Sequence, residues 1–243
     1  MSRLYSDSFF HYTKEFTALQ LIIKQGFKVS LAKEQFVRSS DDFLYIDIPM
    51  VSFCDIPLMM IDLVAYGNLG IGMSRTWGNR NKMQPVHYFT NAKKTNSNIL
   101  ERPLADRYFS GERSIALLRQ LSSLKPMVKF IDKNSTYASI HIKNKNGDDE
   151  LKYYRRDNYI EREWRKIYLG RWNDEDYYTR HPVYLKFHSK EVSFIIVNSF
   201  EEKESLIEYI MQLNTIGGYR CSKEDCLSLA TNILVMKSIK KNF

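Results

Sequence analysis

Three short runs of this sequence carry side chains able to do chemistry. His11 stands in Phe10-His11-Tyr12-Thr13, where a strand hands over to a helix. A lone histidine beside aromatics is more often a satisfied structural residue than a functional one. Ser52-Phe53-Cys54-Asp55 closes an apolar strand, and strand ends beside polar turns are where sites usually sit. Asp55 would equally cap the helix that Pro57 begins, with Ser52 bonding locally. The third run is Glu161-Arg162-Glu163-Trp164-Arg165. As a strand it sets Glu161, Glu163 and Arg165 on one face and Arg162, Trp164 and Lys166 on the other. Two acids and a guanidinium on one face can hold a carboxylate in a cleft with Arg165 orienting it. They can also form a surface ion-pair ladder of little worth to stability.

The elements that must position these residues follow from periodicity. Residues 8–11 read as a strand. Thr13 is then placed to cap a helix whose Phe16, Leu19, Ile22 and Ile23 recur at helical spacing, and Gly26 ends it. Residues 31–47 are polar and mixed and read as a loop. Ile48 to Cys54 is a strand with Pro49 at its entry, and Pro57 opens a short helix through Val64. Ile71 to Ser74 is a glycine-spaced strand, Trp77-Gly78 opens a helix-like stretch, and Pro85 to Phe89 is another strand. Residues 115–124 suit a helix, residues 126–131 a strand, and Asn144 to Asp149 a hairpin tip. Residues 159–168, 184–187 and 192–197 read as strands. Ser199 caps a helix running through Met211, and residues 226–240 read as a last amphipathic helix. The sum is an α+β chain of six or so short strands, with helices early and late.

The totals bound what such a chain can be. It has 243 residues, 44% hydrophobic and 14% aromatic, which rules out a disordered chain and supports a single domain over residues 1–243. Lysine and arginine outnumber acids by 36 to 28, so the net charge of +8 permits an anionic partner without identifying one. Three cysteines make a disulfide framework implausible and a cytoplasmic setting the default, and Cys221 with Cys226 supplies too few ligands for zinc, so no metal site is expected. No window approaches the roughly 18 apolar residues of a membrane span. The Gly-x-Gly within Tyr66 to Gly72 lacks the third glycine of a dinucleotide fingerprint. No Walker, zincin or serine-hydrolase signature occurs.

Together, these runs resemble the AbiGi family of bacterial abortive phage-infection proteins. The residues that carry the resemblance are His11-Tyr12-Thr13 with Gly26-Phe27, Pro49 to Leu58, Tyr66 to Gly78, Pro85-Val86 and Glu161 to Arg165, in that order over about residues 8–170. Residues 171–243 add strands and helices outside it. The family is described as the antitoxin half of a two-gene system, which implies a cognate toxin or antitoxin protein as partner. A more distant resemblance, to ADP-ribosyltransferase folds, implies a mixed sheet core with flanking helices and NAD as cofactor. It places His11 at the adenosine-side ribose and Ser52 with Phe53 at the nicotinamide end. Glu163 would be the catalytic carboxylate on the nicotinamide ribose, opposing the positive charge that develops as nicotinamide leaves. Tyr12, Thr13 and Tyr66 would complete the NAD pocket, and the acceptor would be nucleic acid or protein. On this expectation His11, Ser52 and Glu163 converge on one cleft, Glu163 is half-exposed and Glu161 is dispensable. The polar segment from Asn91 to Gly111 then borders the cleft. Two rival readings are a non-enzymatic, antitoxin-like module that binds a partner protein through its late helices, and a nucleic-acid-binding or metal-dependent nuclease using Asp55 with Glu161 and Glu163. The nuclease reading is the weaker, because magnesium sites need converging carboxylates.

Overall fold

The computed structural model describes residues 7–37, 43–56, 68–90, 128–131, 137–143, 149–155, 162–168 and 174–236. The chain order is β1 (Ser8–Thr13), α1 (Phe16–Gln25), β2 (Phe27–Lys28), β3 (Ser30–Val37), β4 (Phe43–Cys54), β5 (Leu69–Ser74), α2 (Arg75–Arg80) and β6 (Gln84–Pro85). It continues with β7 (His87–Thr90), β8 (Val128–Ile131), β9 (Tyr137–Lys143), β10 (Asp149–Arg155) and β11 (Glu163–Ile167). The remainder is α3 (Glu175–Arg180), β12 (Tyr184–Leu185), β13 (Val192–Val197), α4 (Phe200–Met211), β14 (Thr215–Ile216), β15 (Tyr219–Arg220), α5 (Lys223–Thr231) and β16 (Ile233–Val235). The chain forms two compact units. The larger comprises Met1–Lys33, Ile46–Pro85 and Glu163–Phe243, and the smaller Glu34–Tyr45 and Val86–Arg162.

The smaller unit pairs β7 with β8 in parallel and β9 with β10 as an antiparallel hairpin. The larger is built on a mixed sheet ordered β16-β13-β5-β1-β4-β11-β6, with β3 paired to β4. Its ladders from β13 through β5, β1, β4 and β11 to β6 are antiparallel and β13 with β16 is parallel, so the α+β expectation holds at the level of a mixed sheet with helices.

One face of this sheet carries the main core, in which Phe9, Phe53, Ile71, Met73, Ile195 and Val197 meet Leu19 and Ile23 of α1 and Leu206 and Ile210 of α4. The other face carries a smaller cluster of Phe10, Tyr12, Cys54, Ile56, Ile196 and Met236. Alternation along β1 makes this division: residues 9, 11 and 13 point one way, and 8, 10 and 12 the other.

Three local expectations change. Thr13 does not cap α1. Pairing of Thr13 with Leu69 carries β1 two residues further, and the Thr13 hydroxyl instead accepts from the Glu15 amide at 3.3 Å. Of residues 31–47, read as a loop for their polarity, 31–37 belong to β3 and 43–47 to β4, because pairing of these two strands outweighs composition. The helix expected over 226–240 is interrupted within the described residues: α5 starts earlier, at Lys223, where Ser222 and Asp225 form a capping box, and Ile233 to Val235 leave helical geometry to pair with β13. The expected elements at residues 57–64 and 115–124, the hairpin tip and the Asn91–Gly111 segment lie outside the described residues.

Gly26 ends α1 as expected, with φ of +94° and its amide bonded to the Ile22 carbonyl at 2.8 Å. The Gly217-Gly218 turn then donates to the Ile23 and Lys24 carbonyls at 2.6 and 3.0 Å, satisfying acceptors that a helix end otherwise leaves open. A Cβ at Gly217 would stand 2.1 Å from the Phe187 carbonyl, so only glycine fits there.

Candidate functional site

The three runs meet on adjacent strands. Phe10 lies opposite Cys54, Cys54 opposite Glu163, Phe53 opposite Trp164, and Ser52 opposite Arg165. Residues in register across antiparallel strands share a face. Glu163, Arg165, Ser52, Cys54, Phe10 and Tyr12 therefore share the small-cluster face, while His11, Phe53, Phe9 and Trp164 share the main-core face. The expected split of Glu163 and Arg165 from Trp164 and Lys166 is what the strand shows.

His11 and Glu163 thus stand on opposite faces of the sheet, and the expected convergence of His11, Ser52 and Glu163 on one cleft is not met. The reason is parity: His11 has the sequence parity of Phe9, and the strand cannot turn one side chain over without turning all. The imidazole packs against Phe27 and Phe53, with ring centroids at 5.2 and 5.5 Å. Its Nδ1–H donates to the Ser52 carbonyl at 2.9 Å. Only the Phe10–Cys54 pair joins β1 to β4, so the imidazole takes over an acceptor left where the strands part. Burial of the ring lowers its pKa from the ordinary imidazole value, and the bond to Ser52 opposes this only in part. A lowered folded-state pKa means that the unfolded chain binds the proton first on acidification. The contribution of neutral His11 is therefore fully present above about pH 6.5 and is lost as pH falls, by up to about 1.4 kcal/mol per pH unit. Chemical denaturation across that range should show a shallower acid loss in His11→Gln, which keeps a donor but does not titrate. Equal slopes would contradict this account.

Glu163 is not half-exposed. It is 6% accessible and Arg165 2%. The guanidinium grips the carboxylate twice, Nε to Oε1 at 2.8 Å and Nη2 to Oε2 at 3.2 Å. Ser52 is half-buried, and its hydroxyl points to the Met50 sulfur at 3.7 Å. Phe10 and Tyr12 lie flat over β5, whose glycines make the room. A Cβ on Gly72 would stand 2.7 Å from Phe10, and one on Gly70 2.7 Å from Tyr12. The Tyr12 hydroxyl is the one buried side-chain polar group without a hydrogen-bond partner among the described residues, and burial raises its pKa. Phe53 is a core residue, 1% accessible, and Tyr66 lies outside the described residues, as does Glu161.

Asp55, expected to cap a helix that lies outside the described residues, is engaged far along the chain. Its buried carboxylate pairs with Arg75, twenty residues on, whose guanidinium lies over the Phe9 ring at 4.2 Å and near the Trp164 ring at 5.6 Å. Arg75 was missed as a site residue, although it stands inside the Ser74-Arg75-Thr76-Trp77 run; nothing local in sequence pairs it with Asp55. Among the described residues no group of three or more His, Cys, Asp or Glu side chains could hold a metal ion. No helix there is long and apolar enough to cross a membrane.

The family model described as abortive phage resistance protein AbiGi, antitoxin, matches residues 44–198, well over half the chain. The chain belongs to the AbiGi family. A member from Lactococcus lactis subsp. cremoris, the abortive phage resistance protein AbiGi, is 27% identical over 229 residues, covering 81% of this chain and 89% of that protein. No solved structure matches the fold. The matched span takes in β4, β5 and β11, hence Ser52, Asp55, Arg75 and the Glu163–Arg165 pair, while His11 precedes it. AbiGi membership supports a part in anti-phage defence.

Proposed function

We propose that this AbiGi protein serves abortive infection as a binding module of the antitoxin type, engaging a cognate partner protein, rather than as an NAD-dependent ADP-ribosyltransferase. The observation that carries this reading is the state of Glu163: buried, gripped twice by Arg165, and on the face away from His11. A carboxylate meant to oppose a developing oxocarbenium ion must face that cation. The late helices supply a surface for the partner: Phe200 of α4 and Leu227 of α5 are 60% and 55% accessible, large apolar side chains that contribute little to the fold where they stand.

The test is protection of cells from phage by Phe200→Glu/Leu227→Glu at matched expression, beside an NAD-consumption assay on the purified parent. Loss of protection by at least tenfold in plaque count, without NAD turnover and with the melting temperature unchanged, is the expected outcome. Full protection by the double variant, or NAD turnover by the parent, would overturn the reading.

A further inference from the structure

We infer that the β14–β15 hairpin and its surroundings form a docking surface for single-stranded nucleic acid. The surface lies apart from Glu163 and does not rest on the partner-binding proposal. Its centre is a pair of exposed rings: His188 and Tyr219 stack at 4.2 Å between centroids, 13° from parallel. Tyr219 is 39% accessible and His188 is exposed. A solvent-facing stack of two rings adds little to the core, and an unpaired base can extend it.

The elements that carry or adjoin these rings also carry exposed cations. The Lys186 ammonium lies 5.5 Å from the Tyr219 ring centroid. Arg220 follows Tyr219 on β15. Lys24 is brought in by α1, whose last carbonyls receive the Gly217-Gly218 turn. Lys28 pairs with Tyr184, two residues before Lys186, which follows the end of that short ladder. Lys24, Lys28, Lys186 and Arg220 are all exposed, and none makes an ion pair among the described residues. Of two nearby carboxylates, Glu191 is ion-paired with Arg80, while Asp225, held by the Ser189 and Ser222 hydroxyls, keeps its charge beside His188.

Exposed rings on elements that carry exposed cations suit a single strand, whose bases offer open faces while its phosphates meet the ammonium and guanidinium groups. A duplex hides those faces, and an acidic protein offers the charge without the bases. Four engaged phosphates would give a slope of log affinity against log salt of roughly −3, at about 0.7 per contact.

The experiment is fluorescence anisotropy of the full chain with a labelled oligothymidylate of about 15 nucleotides, a length suited to such platforms. Tyr219→Ala should weaken binding about tenfold or more, the scale of one lost base stack, while Tyr219→Phe keeps it. Lys186→Ala/Arg220→Ala should reduce the salt slope by roughly 1.4, a readout that decides the matter even should Tyr219→Ala misfold. Absence of binding by the parent, equal binding by Tyr219→Ala, an unchanged salt slope in the charge variant, or displacement by polyglutamate or duplex as effective as by unlabelled oligothymidylate would each overturn the inference.

Discussion

Glu163→Gln is expected to destabilise the protein by about 3–5 kcal/mol, enough to threaten folding in a domain whose whole stability is about 5–15 kcal/mol. Read as a half-exposed carboxylate, Glu163 would contribute almost nothing. With both partners nearly inaccessible, the substitution withdraws the charge that Arg165 faces while leaving the guanidinium in its buried setting. Replacing both partners with apolar residues of similar volume, Glu163→Leu/Arg165→Met, should cost far less, within about 1–2 kcal/mol of the parent, because the two opposite charges are removed together. Urea denaturation of the parent, the single and the double variants measures the contrast. A single variant as stable as the parent would show that the pair is solvated rather than buried.

Trp77→Ala should be comparably damaging, at about 3–5 kcal/mol. The indole is inaccessible and sits against Phe27 and Phe53, with centroids at 5.7 and 5.3 Å. Its N–H donates to the Lys186 carbonyl at 3.1 Å, tying α2 to the segment after β12. Truncation opens a cavity in an aromatic cluster that also walls in His11, and removes the donor from a carbonyl 109 positions away. Trp77→Phe refills much of the volume and should recover more than half of the loss in the same denaturation experiment. Equal loss in both variants would assign the effect to the hydrogen bond alone.

Local signals in the sequence reached as far as local physics does. The strand-helix-glycine opening is legible because Phe16, Leu19, Ile22 and Ile23 keep a helical period and Gly26 stops it. The two-faced pattern of Glu163, Trp164 and Arg165 is legible because a strand alternates. The elements that failed are those decided by partners distant in sequence. Ile233 to Val235 suit either a helix or a strand, and pairing with β13 decides. The face taken by His11 relative to Glu163 depends on a register through β4 that neither run contains. The pairing of Asp55 with Arg75 likewise joins two runs, and neither alone signals it. The resemblance in Pro49 to Leu58, Tyr66 to Gly78 and Glu161 to Arg165 correctly led to the AbiGi family, yet motif order carries no information on which way side chains point across a sheet.

The most direct test of the account is phage protection by Glu163→Leu/Arg165→Met, expressed to the level of the parent and shown to be folded by its melting transition. The variant has no carboxylate at position 163 but keeps the buried volume and the late helices. A binding module should protect cells as the parent does. A folded double variant that gives no protection, together with NAD cleavage by the parent and none by the variant, would contradict the account and restore Glu163 as a catalytic residue.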